Sequence, residues 1–125
     1  MDEQLIKKLS SDTTGLLNYE YLANNIGSCD DMLPTLVENI VRTDADGQFT
    51  VSAARYLAAI DAECYAGPIE SLIAAAITKD RDRRYIGALL SCIWGEDYAE
   101  RAEELSAASD NFRRIYKRVY PQGKI

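Results

Sequence analysis

A chain of 125 residues, 47% apolar and 27% charged, has the size and composition of one globular domain with a sizeable core, so residues 1–125 are expected to form a single domain. The formal charge of −6 is unevenly spread: residues 1–78 carry 4 basic and 12 acidic side chains (net −8), residues 79–125 carry 10 and 8 (net +2). That balance opposes general nucleic-acid binding and favours a basic partner, and the lack of any histidine removes histidine-based catalysis and the usual zinc sites.

The pattern in chain order is helical throughout. A first short helix is predicted from about Asp2 to Leu9, with Leu5, Ile6 and Leu9 inward, followed by a polar loop from Ser10 to Gly15. A second runs from Leu16 to Ile26 and stops at Gly27, a natural helix end. Ser28 or Asp30 is expected to cap a third, which takes Pro34 in its first turn, where the backbone N–H has no intrahelical acceptor, and ends near Arg42. Thr43 to Gln48 is a turn. Phe49 to Ala62 forms the fourth helix, with Phe49, Ala53, Tyr56, Leu57 and Ile60 on one face. Gly67 and Pro68 open the fifth, broken from Lys79 to Asp82. Arg83 to Ile93 is the sixth, Asp97 to Ala107 the seventh and Asp110 to Tyr120 the eighth, stopped by Pro121 and Gly123. Gln48 to Val51 is the one β-prone stretch, too short for a strand.

Three stretches share the i, i+3, i+4, i+7, i+8 spacing of a buried helix face: Leu33, Leu36, Val37, Ile40 and Val41; Ile69, Leu72, Ile73, Ala76 and Ile77; Phe112, Ile115, Tyr116, Val119 and Tyr120. The first two lie 36 residues apart. Tyr21-Leu22-Ala23, Tyr56-Leu57-Ala58 and Tyr85-Ile86-Gly87 echo one another, as do the turns Asp12 to Gly15, Asp44 to Gly47 and Asp80 to Arg83. Three helix pairs emerge, 16–42, 49–79 and 83–107, with a helix at each end as a cap. A pair cannot bury its stripe alone, so neighbours must stack. Over residues 16–107 the period and spacing resemble HEAT and armadillo α-helical repeats, and the resemblance implies a small right-handed α-solenoid; it implies nothing about function. An irregular helical bundle is the alternative all-α architecture.

Arg42 to Thr50 resembles the middle of an EF-hand calcium loop, with Asp44 and Asp46 at its third and fifth positions, Gly47 at the sharp turn and Phe49 at the apolar eighth. Arg42 at the first position and Ala53 at the twelfth stand where calcium requires carboxylates, so a capped turn is the expected role. The cysteines Cys29, Cys64 and Cys92 form no C-x-x-C pair and suit a reducing compartment; Cys29 and Cys64 occupy equivalent turns and are expected to be small packing residues. Glycine-rich phosphate loops are missing. No cofactor, metal or catalytic residue is expected, and the chain is not expected to be an enzyme. An N-terminal signal pattern and a ~20-residue apolar run are both lacking, so the expectation is a cytoplasmic protein that does not enter a membrane.

Two surfaces remain as candidates. Glu38, Asn39, Glu70, Ser71, Glu100 and Glu103, on the second helices of the pairs, form an acidic strip suited to a basic protein partner. Arg113, Arg114, Lys117 and Arg118 interleave with Tyr116 and Tyr120, a pattern that can bind anions or nucleic acid. Trp94 is expected to anchor the core. The leading expectation is a protein-binding module, such as an inhibitor, immunity protein or adaptor; the alternative is nucleic-acid or nucleoprotein association through the basic helix 110–120.

Overall fold

The computed structural model describes residues 3–120 and is all-helical over them, with no strand. The helices are α1 (Glu3–Ser10), α2 (Leu16–Asn25), α3 (Leu33–Thr43), α4 (Gln48–Asp61), α5 (Ala66–Lys79), α6 (Gly87–Trp94), α7 (Ala102–Ala108) and α8 (Asp110–Val119), with a single 3-10 turn at Asp30–Met32 leading into α3. The predicted start at Asp2 and stop at Pro121 and Gly123 lie outside the described residues.

The helices pack in two rows. α2, α4 and α6 lie side by side in one, and α1, α3, α5 and α8 in the other; α2 also packs on α3, α4 on α5 and α6 on α8. The apolar stripes face the seam between the rows. Leu33, Leu36, Val37 and Ile40 of α3, all five stripe residues of α5, and Phe112 and Ile115 of α8 are buried, opposite Leu22, Leu57, Leu89 and Leu90 of the other row. Val41, Tyr116, Val119 and Tyr120 are half-buried at its margins.

The third pair differs from expectation. The helix beside α5 and α6 is α8, while α7 packs on α8. Residues 97–101, predicted as part of the seventh helix, wind as turns in which Tyr98, Glu100 and Ala102 donate to carbonyls three residues back. The tighter winding accompanies the docking of Tyr98, whose ring lies edge-on to Phe112 at 6.5 Å and whose hydroxyl meets that of Tyr120 at 3.0 Å. α6 starts at Gly87 rather than Arg83 because the N–H groups of Arg84, Tyr85 and Ile86 are drawn onto the Asp80 carboxylate. Neither Ser28 nor Asp30 caps α3: the Ser28 hydroxyl donates back to Asn25 O, and Asp30 accepts from the Tyr65 hydroxyl.

The turns leading into α2, α4 and α6 share one construction. Asp12, Asp44 and Asp80 are 5%, 2% and 2% exposed. Each carboxylate accepts from the backbone N–H six residues on, at Asn18 (3.1 Å), Thr50 (2.8 Å) and Ile86 (2.8 Å). Each is followed three residues later by a positive φ, at Gly15 (97°), Gly47 (94°) and Arg83 (50°). The turns also touch: a Cβ at Gly15 would sit 3.4 Å from Asp44 Cβ, and one at Gly47 only 3.1 Å from Asp80 Cβ. The first two turns therefore need glycine both for the left-handed backbone and for the neighbouring turn, whereas the third has no successor and takes arginine.

A second periodic device acts at the same turns. Arg42 of α3 donates to Ser10 O (3.4 Å), Lys79 of α5 to Asp44 O (2.6 Å), and Arg118 of α8 to the carbonyls of Ile77 and Asp80. In each case a cation reaches back to the carbonyl end of the preceding helix in its row, where helix polarity favours positive charge.

Candidate functional site

The acidic strip divides on inspection. Glu38, Glu70 and Ser71 are exposed on α3 and α5, and Glu70 accepts from the Asn111 amide of α8 at 3.1 Å. Asn39 is not a surface residue. It is 6% exposed, donates from Nδ2 to Asn18 Oδ1 (3.0 Å) and accepts from Arg42 (3.0 Å). Its helical position, one residue before Ile40, turns it toward α2, where Asn18 offers a partner inside the core. Glu100 and Glu103 are exposed, but they lie in the turn before α7 and in its first helical turn. With α8 occupying the place next to α5, they do not extend the α3–α5 face.

Between α3 and α5 runs a groove of about 440 Å³, lined by Pro34, Val37, Val41 and Pro68, with Glu38 and Ser71 on its walls. Its origin is local. Pro34 and Pro68 sit in the first turns of their helices, and Val37 and Val41, one turn apart, fall on the edge of the α3 stripe rather than at its centre. The result is an apolar channel beside exposed carboxylates.

The EF-hand-like run is a helix cap. Asp44 Oδ2 accepts from both the N–H (2.8 Å) and the hydroxyl (2.7 Å) of Thr50, and Asp46 accepts from Gln48 N at 3.1 Å. Arg42 points away to Asn39 and Ser10. Asp12 is held more fully, by the Asn18 side chain and the N–H groups of Thr14, Gly15 and Asn18. Burial pushes its carboxyl up, but those four donors, the Asn18 amide foremost, outweigh burial and hold it below the ordinary carboxylate value.

The four cations of α8 serve different ends. Arg113 pairs with Asp110. Arg118 donates to backbone carbonyls at the end of α5, and its own carbonyl accepts from Arg83 at 2.9 Å. Arg114 and Lys117 are exposed. Tyr116 stacks on Phe112 (5.3 Å) and lies tilted against Tyr120 (5.1 Å), so the aromatic interleaving belongs to core packing. Trp94 is half-buried, edge-on to Phe112 at 5.2 Å, in the same cluster. Cys29 is buried as expected; Cys64 is exposed because it falls in the turn after α4 rather than on a packed face. Burial, with Asp30 close by, raises the Cys29 thiol above its ordinary value, so it stays protonated.

One grouping was not legible in the sequence. Arg81, in the turn after α5, shares a concavity with Arg114 and Arg118. No spacing rule connects residues 33 and 37 positions apart on different elements; the repeat of Asp44 at Asp80 locates the turn, but only the docking of α8 brings the arginines together. Compared with known proteins, the chain matches no family model, no curated protein and no solved structure.

Proposed function

We propose that the protein is a non-enzymatic binding module whose α3–α5 face receives a basic, amphipathic segment of another protein. The observation that carries this reading is the apolar groove of Pro34, Val37, Val41 and Pro68, with Glu38 on its wall and Glu70 on the adjoining helix. Such a channel accepts the apolar side of an amphipathic helix, and the flanking carboxylates favour lysine or arginine at its margins. The net charge of −8 over residues 1–78 would steer a cationic partner toward this end of the molecule. Glu38, Glu70 and Ser71 are the contact residues of the proposal; Asn39 supports the face from within.

The architecture we infer is a short right-handed α-solenoid of HEAT or armadillo type. It is supported by the two helix rows, the three repeated aspartate turns and the three cations that tie successive helices of one row. An inhibitor, immunity protein or adaptor working in the cytoplasm fits this size, charge and reading. Nucleic-acid association through residues 110–120 has less support, because Arg113 is paired with Asp110 and the Tyr116 and Tyr120 rings are packed against the core.

The test is direct titration of the intact protein with synthetic amphipathic helices carrying either lysine or glutamate margins, followed by amide chemical shifts. The lysine peptide is expected to move Val37, Val41 and Ser71, to bind more weakly as salt rises, and to lose affinity at least tenfold to an E38K/E70K variant. Shifts confined to other faces, or equal affinity for both peptides, would overturn the reading. Both positions are exposed and Glu70 gives up only a surface hydrogen bond from Asn111, so the stability of the variant should change by no more than ~1 kcal/mol.

A further inference from the structure

We propose that the concavity lined by Ile77, Thr78, Arg81, Arg114 and Arg118 binds a phosphate dianion, free or as the terminal group of a monoester. It measures about 390 Å³ and lies where the end of α5, the following turn and the flank of α8 meet. Arg114 and Arg118 are one helical turn apart and so share a face, and Arg81 approaches from the other element.

Three features make this more than a collection of surface cations. First, part of the site is already held in place. Arg118 donates to the carbonyls of Ile77 and Asp80, and Arg83 donates to Arg118 O at 2.9 Å, so α8 and the turn are clamped from both sides. For Arg118 the ordering cost of meeting a ligand has already been met. Second, no guanidinium of the concavity is closely paired with an acid: Asp110, one helical turn before Arg114, interacts with it but is held by Arg113. Among the described residues the ion pairs join Arg101 to Asp97 and Glu104, and Arg113 to Asp110; none reaches Arg81, Arg114 or Arg118. Asp80, adjacent to Arg81 in the chain, is buried and aims its carboxylate at the N–H groups of Arg84, Tyr85 and Ile86. Third, guanidinium forks present paired N–H donors that match phosphate oxygens, a geometry ammonium groups do not offer.

A compact dianion is favoured over a nucleic-acid strand. A strand gains affinity with each phosphate it neutralises along a track of cations. Here the cations converge on one concavity, the next helix of the row carries Glu70, and residues 1–78 are net −8. The site is separate from the α3–α5 groove, so either proposal can fail without the other.

The experiment titrates the intact protein with inorganic phosphate and with phenyl phosphate, read by amide chemical shifts at matched ionic strength in sodium chloride. Saturable shifts are expected at Thr78, Arg81, Arg114 and Arg118. Because the second ionisation of a phosphomonoester falls near pH 6, affinity should drop several-fold from about pH 7.5 to about pH 5.5. Arg81→Gln with Arg114→Gln should weaken binding at least tenfold. Neither side chain makes a hydrogen bond or close ion pair with a described residue, and the single Arg81→Gln variant, in an exposed turn, serves as the conservative control with a several-fold loss. Lys117→Gln, which removes an exposed cation of α8 that does not line the concavity, should leave affinity unchanged. Tighter binding of phenyl phosphate would identify a monoester as the ligand; equal or tighter binding of inorganic phosphate would identify the free ion. Shifts reproduced by chloride, equal loss in Lys117→Gln, or binding seen only for oligonucleotides and rising with their length would each overturn the proposal.

Discussion

At the scale of single residues, buried polar groups organise the molecule. Asp12, Asn18, Asn39 and Arg42 form one chain of hydrogen bonds that links the first turn, α2 and α3 and ends on Ser10 O. Every member is partnered, which is the condition for a buried polar network to stabilise. Asp12→Ala would strand the N–H groups of Thr14, Gly15 and Asn18 and is expected to cost about 2 kcal/mol in urea unfolding. The pH dependence has a definite sign. The folded-state pKa of Asp12 lies below its ordinary value of 3.8, so between the two values the unfolded chain binds more protons. Its contribution is therefore complete above the ordinary value and is lost as pH falls through the lowered one. Asp12→Asn, which cannot titrate, should show a shallower loss of stability on acidification than the native chain. Tyr98 is the second titrating reporter. Its hydrogen bond with Tyr120, followed by burial, pushes its phenol up to about 12. A phenol raised in the folded state contributes stability that is full below its ordinary value of 10.0 and disappears as pH rises through about 12. Ultraviolet titration of the tyrosines should show this group ionising last, and Tyr120→Phe should bring it down.

At the scale of elements, the turns are the most constrained parts of the chain. Gly15, Gly27 and Gly47 all have φ near +90°, but their surroundings differ. A Cβ at Gly27 would meet nothing within 4 Å, at Gly15 it would meet Asp44 Cβ at 3.4 Å, and at Gly47 it would meet Asp80 Cβ at 3.1 Å. Alanine substitutions should therefore form a graded series: about 1 kcal/mol at Gly27 from backbone conformation alone, slightly more at Gly15, and about 2–4 kcal/mol at Gly47, where crowding adds. Thermal or urea unfolding of the three variants would check the order. The turn from Asp44 to Gly47 also bears on calcium. With Asp44 engaged by Thr50 and Arg42 turned to Asn39, 1 mM calcium is expected to leave the melting temperature unchanged. A site with a Kd of ~10 µM would add ~2.7 kcal/mol at that concentration, so a rise of several degrees would show that the loop holds the ion.

At the scale of the whole molecule, one buried cluster runs from Leu9 to Ile115 and is closed at one end by α8, which covers both α5 and α6. Because α2 to α6 and α8 each pack against at least two other helices, unfolding is expected to be a single transition in which far-ultraviolet circular dichroism and Trp94 fluorescence coincide. Earlier loss of the Trp94 signal would show that the α6–α8 end opens as a separate unit. No helix of the described residues is long and apolar enough to cross a membrane.

Helix existence and the inward faces of α3, α5 and α8 were determined by the sequence alone, because the 3.6-residue period of Leu33 to Val41, Ile69 to Ile77 and Phe112 to Tyr120 leaves one way to hide the apolar stripe; on α4, Ile60, expected on the face of Phe49 and Leu57, is exposed. The aspartate turns were visible as an echo, since a carboxylate that caps a helix and a glycine at positive φ are both local requirements. What tertiary structure decided depended on contacts between distant segments. Asn39 reads as a polar surface residue until Asn18 is placed opposite it; residues 97–101 read as helix until Tyr98 is drawn onto Phe112 and Tyr120. The pairing of α6 with α8 instead of α7, and the meeting of Arg81 with Arg114 and Arg118, follow from which apolar face docks where. Periodicity fixes the buried side of each helix but carries no information about the neighbour that covers it.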